Sequence, residues 1–211
     1  MAQYITITNA NYEITALPDG IVSNANVSLA AGIQRSKLAL EAKTHHILFT
    51  DLRQYDDLGA ALPSAALDDH LYLYTPNPPG VTAPIVYSDI ASGTESYYAG
   101  CLFSLPPEYA SGEDIIVNMR STVLTNATGC TQRAYVYLID PTDGSLGSDI
   151  ADVTGLSLAM SSAPTFTTTS IPVTATTLEP GDLLFIKFAV TLATGQYCYL
   201  TEFSIDIDIR G

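Results

Sequence analysis

Few residues in this chain have the type and spacing to do chemistry. His45 and His46 are adjacent, so on a strand they would face opposite sides and could not hold one metal ion together. His70 stands beside Asp68 and Asp69, which are too few ligands for a metal site and are typical of a solvated surface. The histidines therefore predict no metal centre.

Acidic residues occur in pairs, as the catalytic carboxylates of glycosidases do. Those carboxylates come from any positions in a sequence, so pairing alone is weak support for an active site, and in an acidic chain it indicates a solvated surface. The four pairs are Asp56/Asp57, Asp68/Asp69, Glu113/Asp114 and Asp206/Asp208.

One turn offers several oxygens that could hold Ca²⁺, from Asp140, Asp143 and Ser145. Their spacing does not match an EF-hand loop, and the turn signal Pro141–Gly144 accounts for them without metal. The sequence also has no G-x-S-x-G, GxxxxGK[ST] or GxGxxG motif. We therefore predict that the chain is not an enzyme, with no catalytic residue, no cofactor and no metal ion.

Charge is distributed unevenly along the 211 residues, which carry 22 acids, 8 bases and a net charge of −14. The first 53 residues hold four charges of each sign, so all the imbalance, 4 bases against 18 acids, falls on the remainder. A nucleic-acid partner is excluded, because neutralising phosphates needs lysine and arginine. The split indicates either an ordinary solvated acidic surface or two parts, a neutral docking arm and an acidic body.

The three cysteines, Cys101, Cys130 and Cys198, match no zinc spacing and no CxxC pattern. Cys101 and Cys198 lie in apolar runs, so we expect buried free thiols. No apolar run approaches the ~20 residues of a transmembrane helix, and the first residues lack the regions of a signal peptide. We expect synthesis in the cytoplasm and no membrane partner.

The N-terminal segment is not patterned as a globular unit. Residues 23–29 loosely repeat the sequence pattern of residues 8–14, and a turn signal lies between the two segments at Pro18–Gly20. Isolated apolar side chains in such extended segments are buried only if another surface receives them. The alternative is an ordinary first strand paired within the domain. Residues 33–43 could form a short helix.

Beyond residue 53 the chain is patterned as short strands separated by turns, after a linker or strap over residues 53–69. In the last strand Ile205, Ile207 and Ile209 point one way, and Asp206 and Asp208 point the other. We predict an all-β fold, a jelly-roll-type two-sheet β-sandwich over residues 54–211, with an extended N-terminal arm and linker over residues 1–53. The predicted strands are 70–74, 85–87, 96–105, 113–125, 132–140, 150–159, 165–174, 183–192 and 197–210.

Tyrosine is abundant in this chain, with 13 residues, and tryptophan is absent. In residues 132–140, Arg133, Tyr135 and Tyr137 alternate with apolar residues and so share one face of a strand. Tyrosines in strands can form a binding face, or they can simply fill half-buried sheet positions. Many sugar-binding sandwiches rely on tryptophan, so its absence counts against sugar binding.

Three stretches resemble motifs of one protein family. Residues 31–38 (AGIQRSKL) resemble a stretch near the N-termini of many phage virion proteins. Residues 105–115 (LPPEYASGEDI) resemble the strand–turn–strand of the jelly-roll domain that often follows it, and residues 178–183 (LEPGDL) resemble a late turn of that domain. In this order they span most of the chain, which resembles a tailed-phage virion structural protein of the capsid decoration (cement) type.

The resemblance implies a virion protein on the outer surface of the capsid, with the major capsid protein as its partner. It also implies a homo-oligomer, a trimer in preference to a dimer, whose arms reach across neighbouring capsid subunits and stabilise the shell. Arg35, Lys37, Lys43 and Arg53 could meet acidic patches there. The arm residues that we expect to bind the capsid are Ile5, Ile7, Tyr12, Ile14, Val27, Leu29, Ile33, Arg35, Lys37 and Leu38.

A second hypothesis is a phage tail-fibre or receptor-binding module that recognises host glycans. It predicts a groove lined with tyrosines and a function that survives deletion of the arm. The absence of tryptophan and of fibre-like repeats counts against it.

Overall fold

The computed structural model describes residues 40–64, 69–74, 85–89, 91–123, 126–151, 158–163 and 165–210. All of them belong to the second of two compact units, Met1–Lys37 and Leu38–Gly211. Among them a 3-10 turn at Phe49–Asp51 is the one helical element, and no helix is long and apolar enough to cross a membrane. The strands are β1 (Leu40–His46), β2 (Tyr72–Tyr74), β3 (Ile85–Tyr87), β4 (Glu95–Ser104), β5 (Ile115–Val123), β6 (Thr131–Ile139), β7 (Leu146–Asp149), β8 (Leu158–Ala159), β9 (Thr167–Val173), β10 (Leu183–Leu192) and β11 (Cys198–Arg210).

The strands form two antiparallel sheets. The six-stranded sheet has the order β2-β3-β11-β5-β9, with β1 also paired to β11. The five-stranded sheet has the order β4-β10-β6-β7, with β8 also paired to β6. Strands β3-β11-β5-β9 facing β4-β10-β6-β7 have the connectivity of an eight-stranded jelly roll. The predicted all-β jelly-roll sandwich is therefore confirmed.

The core lies between the two sheets and is built by alternation along each strand. Phe188 of β10 and Phe203 of β11 are both buried, with ring centroids 4.6 Å apart. Ile205 and Ile207 also face the core, as the sequence predicts, and are at most 1% exposed. A bulge between Leu200 and Glu202 shifts by one residue the alternation of inward and outward side chains along β11. Apolar side chains on both sides of the bulge therefore reach the core.

One buried polar cluster ties the sheets together. Gln132 of β6 is 1% exposed. Its Oε1 accepts a hydrogen bond from Ser121 Oγ of β5 at 2.5 Å, and its Nε2 donates to Thr169 Oγ1 of β9. A buried amide costs free energy unless its donors and acceptors are paired. These contacts therefore fix how the two sheets face each other.

The predicted arm and linker, residues 1–53, are described from residue 40 onward. Leu40–His46 forms β1, which pairs with β11. The short helix considered for residues 33–43 is therefore wrong for residues 40–43, which β11 holds in a strand. Arg53 pairs with Gly100 of β4. The ten arm residues expected to bind the capsid all lie in residues 1–39, outside the described residues.

The three cysteines are free and buried, as predicted. Burial raises the pKa of Cys101 and of Cys198 to about 12, so both thiols stay protonated at pH 8. We expect the native protein to resist a thiol-specific maleimide at pH 8 and all three cysteines to react once it is unfolded in urea. Mass spectrometry of labelled peptides measures this, and rapid native labelling of Cys101 or Cys198 would contradict their burial.

Candidate functional site

The outward side of the five-stranded sheet carries a surface of aromatic side chains. In β6, Ala134 and Val136 are fully buried, so Tyr135 and Tyr137 point away from the core. In β10, Phe185 is paired with Tyr137 and lies on the same side. We call the side chains on this side the aromatic face; they are Tyr55, Tyr98, Tyr135, Tyr137 and Phe185.

A glycine sets the orientation of the rings. A Cβ at Gly100 of β4 would lie 2.7 Å from Phe185 Cε2 and 3.1 Å from Leu58 Cδ2. The edge of the Phe185 ring therefore packs against Gly100 of β4, and Phe185 is 5% exposed. The Tyr137 ring lies 5.9 Å from it at 20°, and the Tyr135 ring lies 6.5 Å from Tyr137 at 7°. The three rings thus stand in nearly parallel planes on the outward side of the sheet, and we call this group of three rings the platform.

A strap formed by residues 53–61 covers one end of the platform. Arg53 exchanges two backbone hydrogen bonds with Gly100, at 2.8 and 2.9 Å. The chain then folds back, since Ala60 N donates to Asp57 O and Gln54 N donates to Ala60 O. Leu58 comes to lie beside Gly100, on the same side of β4 as Phe185. The predicted linker is therefore packed on the sheet in these residues.

The strap also encloses Lys187. Its Nζ lies 3.8 Å from the centroid of Tyr98 and 4.0 Å from that of Tyr55, which the strap supplies. Burial lowers the pKa of Lys187. The Tyr55 hydroxyl donates to Asp69 Oδ2 at 2.7 Å, and this bond raises the pKa of Tyr55 to about 12. The Lys187 ammonium therefore lies over two packed tyrosine rings, whose centroids are 4.7 Å apart.

An ion pair borders the other end of the platform. Arg133 Nη2 lies 2.8 Å from Asp149 Oδ2, and the guanidinium carbon lies 4.1 Å from the Tyr135 centroid. Asp149 Oδ1 accepts backbone N–H groups of Val136 and Ala151, at 2.9 and 3.1 Å. Asp149 is paired with Tyr137 across β6 and β7. Tyr137 thus has a donor group and an acceptor group beside it.

The histidines and the acidic turn have structural roles. His45 packs on Phe103 at 5.6 Å, while His46 lies 3.8 Å from Glu202, so the two face different sides as predicted. His70 is 5% exposed and its Nε2 lies 3.5 Å from Asp56 Oδ1, so its predicted solvated position is wrong. The residues described contain no group of three side chains placed to hold a metal ion.

In the acidic turn considered for Ca²⁺, the carboxylates are used by the backbone. Asp140 Oδ1 accepts the Thr142 N–H at 2.7 Å, and Asp143 Oδ1 accepts the Ser145 N–H at 2.9 Å. These bonds lower the pKa of both aspartates. They are the local contacts of a turn, as predicted.

A second group of tyrosines lies on the six-stranded sheet. The Tyr87 ring is 5.1 Å from Tyr72, 5.0 Å from Tyr197 and 5.1 Å from Tyr199. Burial raises the pKa of Tyr199 to about 12. These rings pack on one another in edge and tilted arrangements, so they form no flat platform.

Sequence reasoning found part of the aromatic face. The alternation in residues 132–140 placed Arg133, Tyr135 and Tyr137 together, and the structure confirms this. It missed Phe185 and Gly100, because their contact depends on which strands are neighbours. No signal in the sequence marked Asp149 as the partner of Arg133.

No protein-family model and no curated protein sequence matches the chain. Among solved structures it is similar to TmCBM61 in complex with β-1,4-galactotriose, at TM-score 0.39 and 10% identity over 78% of this chain and 86% of that one. It is similar to the CBM22-1 xylan-binding domain from Paenibacillus barcinonensis, at TM-score 0.38 and 12% identity over 67% and 81%. It is similar to the enzymatically active domain of a Bacteriophage CBA120 tailspike protein, at TM-score 0.38 and 11% identity over 81% and 19%. At these scores none of the three likenesses bears on what this chain binds.

Proposed function

We propose that this chain is a non-enzymatic structural protein of a phage virion whose jelly-roll body binds carbohydrate through the aromatic face. The observation that carries the proposal is the platform of Tyr135, Tyr137 and Phe185, three rings in nearly parallel planes on the outward side of a sheet. The glycan-binding hypothesis predicts a groove lined with tyrosines, and the platform supports it in so far as it presents tyrosine rings on an outward surface.

The chemistry of the face suits a sugar ring. A sugar has C–H groups on its faces and hydroxyls around its rim, so it needs an apolar surface with hydrogen-bonding groups at the border. The platform supplies the apolar surface. Arg133 supplies donors and Asp149 supplies acceptors at its border. Tyrosine rings also offer contact area at a low cost in conformational entropy.

Substitution of Tyr137 tests the proposal directly. We expect Tyr137→Ala to lower binding on a glycan array at least about tenfold, the scale of one lost aromatic contact of about 1.4 kcal/mol. The matched control is Tyr199→Ala on the other sheet, which we expect to keep binding. If Tyr199→Ala removes binding and Tyr137→Ala does not, the sugar binds to the six-stranded sheet and the proposed site is wrong. If the native protein binds no glycan, the proposal fails.

A second candidate function is capsid decoration through the N-terminal arm, on the outer capsid surface and as a homo-oligomer. The uneven charge favours it, because residues 1–53 sum to zero while the body carries the whole −14. Attachment by the arm is compatible with a body that binds glycans.

Deletion of residues 1–37 separates the two candidate functions. If the arm attaches the protein to the capsid, the truncated chain should lose co-sedimentation with capsid shells of the phage while its circular dichroism stays that of a folded β protein. Glycan binding by the truncated chain should then be unchanged. A truncated chain that still decorates shells would rule out the arm as the attachment.

A further inference from the structure

We propose that the aromatic face takes an uncharged sugar, seated on the ring of Tyr137 beside the Arg133–Asp149 ion pair, and that it discriminates against carboxylated sugars. The inference rests on the proposed carbohydrate binding and adds the class of ligand and its place on the face. The inference follows from the groups that contact each aromatic ring and from the groups that surround Arg133 and Lys187.

Tyr137 is the ring of the platform that is partly exposed and carries no cation. Phe185 is 5% exposed, and Tyr135 has the Arg133 guanidinium 4.1 Å from its centroid. Tyr98 is in contact with Lys187. Among the described residues, the cation contacts fall on other rings, and Tyr137 has none.

The positive charge of Arg133 is already matched. Asp149 lies 2.8 Å from its guanidinium and is itself fixed by two backbone N–H groups. A sugar carboxylate approaching Tyr137 would meet Asp149, which is opposite Tyr137 in the β6–β7 register. Like charges placed together at a binding site disfavour association. A hydroxyl group meets no such penalty, because it can accept from Arg133 or donate to Asp149.

Lys187 is also unsuited to receive an anion. Its ammonium group is enclosed by Tyr55 and Tyr98, and the nearby carboxylates of Asp69 and Asp56 act on it electrostatically. An anionic ligand would have to displace the Tyr55 ring, whose hydroxyl is bonded to Asp69. A carboxylate could therefore pair with Lys187 only after Tyr55 had moved.

The net negative charge of the body also disfavours the binding of carboxylated sugars. All 14 excess negative charges fall in residues 54–211. Such a field lowers the local concentration of polyanions and slows their approach at low ionic strength. The effect is screened at high salt, because the Debye length falls from about 10 Å at 0.1 M to about 3 Å at 1 M. Selection against acidic glycans should therefore weaken as salt is added.

The test uses the full-length protein and pairs of polymers that share a backbone. The pairs are polygalacturonate and its full methyl ester, carboxymethyl- and hydroxyethylcellulose, and carboxymethyl dextran and dextran. Dissociation constants are measured by calorimetry at about 20 mM and about 500 mM salt, a range that changes the screening length severalfold. The variant Asp149→Asn keeps the shape of the side chain and an oxygen that can accept the Val136 and Ala151 N–H groups, but removes the negative charge.

We expect at least one uncharged polymer to bind about tenfold or more tightly than its carboxylated partner at low salt, with a smaller ratio at high salt. In Asp149→Asn the ratio should shift toward the carboxylated polymer, because Arg133 is then uncompensated. Tighter binding of a carboxylated polymer by the native protein would overturn the inference. An unchanged ratio in Asp149→Asn would show that the sugar is not seated beside Asp149. Binding of no polymer of either kind would instead overturn the proposed carbohydrate binding itself.

Discussion

Gly100→Ala is expected to lower the free energy of unfolding by about 1–3 kcal/mol, the usual range for overpacking a filled site. The added Cβ would lie 2.7 Å from Phe185 Cε2 and 3.1 Å from Leu58 Cδ2. Phe185 cannot simply turn away, because it is only 5% exposed and is packed on nearly all sides. Urea unfolding followed by far-ultraviolet circular dichroism measures the change.

The same substitution should also disturb the platform. Phe185 and Tyr137 lie in nearly parallel planes 5.9 Å apart, so lifting Phe185 tilts the surface on which we place the sugar. We expect weaker glycan binding at a temperature where the variant is still folded. The matched control is Gly93→Ala, where an added Cβ meets nothing within 4 Å. Equal stability of the two variants would show that Phe185 does not rest on Gly100.

The strands that could be predicted from the sequence are those with at least one buried face. The predicted bounds of β3 and β10, residues 85–87 and 183–192, match the structure. In β11 the alternation of Ile205 and Ile207 with Asp206 is confirmed, and Asp206 accepts hydrogen bonds from Thr44 and Asn118 on the outward side. Burial of one face imposes a period of two on the residues, and that period is visible in a single sequence.

Strands without a buried face show no such period of two in the sequence. All seven residues of β1 but His45 are exposed, and three of the four residues of β7 are exposed. These segments are strands because β11 and β6 offer them hydrogen bonds, a cause that lies far away in the sequence. Local composition allows a helix for residues that overlap β1 and predicts no strand at β7, because it does not report such pairing.

The candidate site shows the same limit. Tyr135 and Tyr137 were grouped correctly, since both lie on β6. The platform, however, needs β10 beside β6 for Phe185 and β4 beside β10 for Gly100. The strap adds Tyr55 and Leu58 from a stretch without strand periodicity. Jelly-roll pairing brings these residues together, so the site follows from the topology and not from any motif.

Phe188→Ala is expected to destabilise the protein by about 3–5 kcal/mol, the range for truncating a buried phenylalanine. Phe188 is fully buried and is paired across its sheet with Ala99 and Ala134, whose small side chains leave the space it fills. Across the core it meets Phe203 at 4.6 Å. Truncation leaves a cavity between the sheets that neighbouring alanines cannot close.

Urea unfolding monitored by circular dichroism and by tyrosine fluorescence gives the size of this loss, since the chain has no tryptophan. The control is Leu102→Ala on β4, whose side chain is 50% exposed, and we expect it to change stability by less than about 0.5 kcal/mol. A small domain with a stability of about 5–15 kcal/mol can lose 3–5 kcal/mol and remain folded. A loss for Phe188→Ala no larger than that for Leu102→Ala would mean that the sheets do not meet at this ring, and the jelly-roll core would then have to be packed differently.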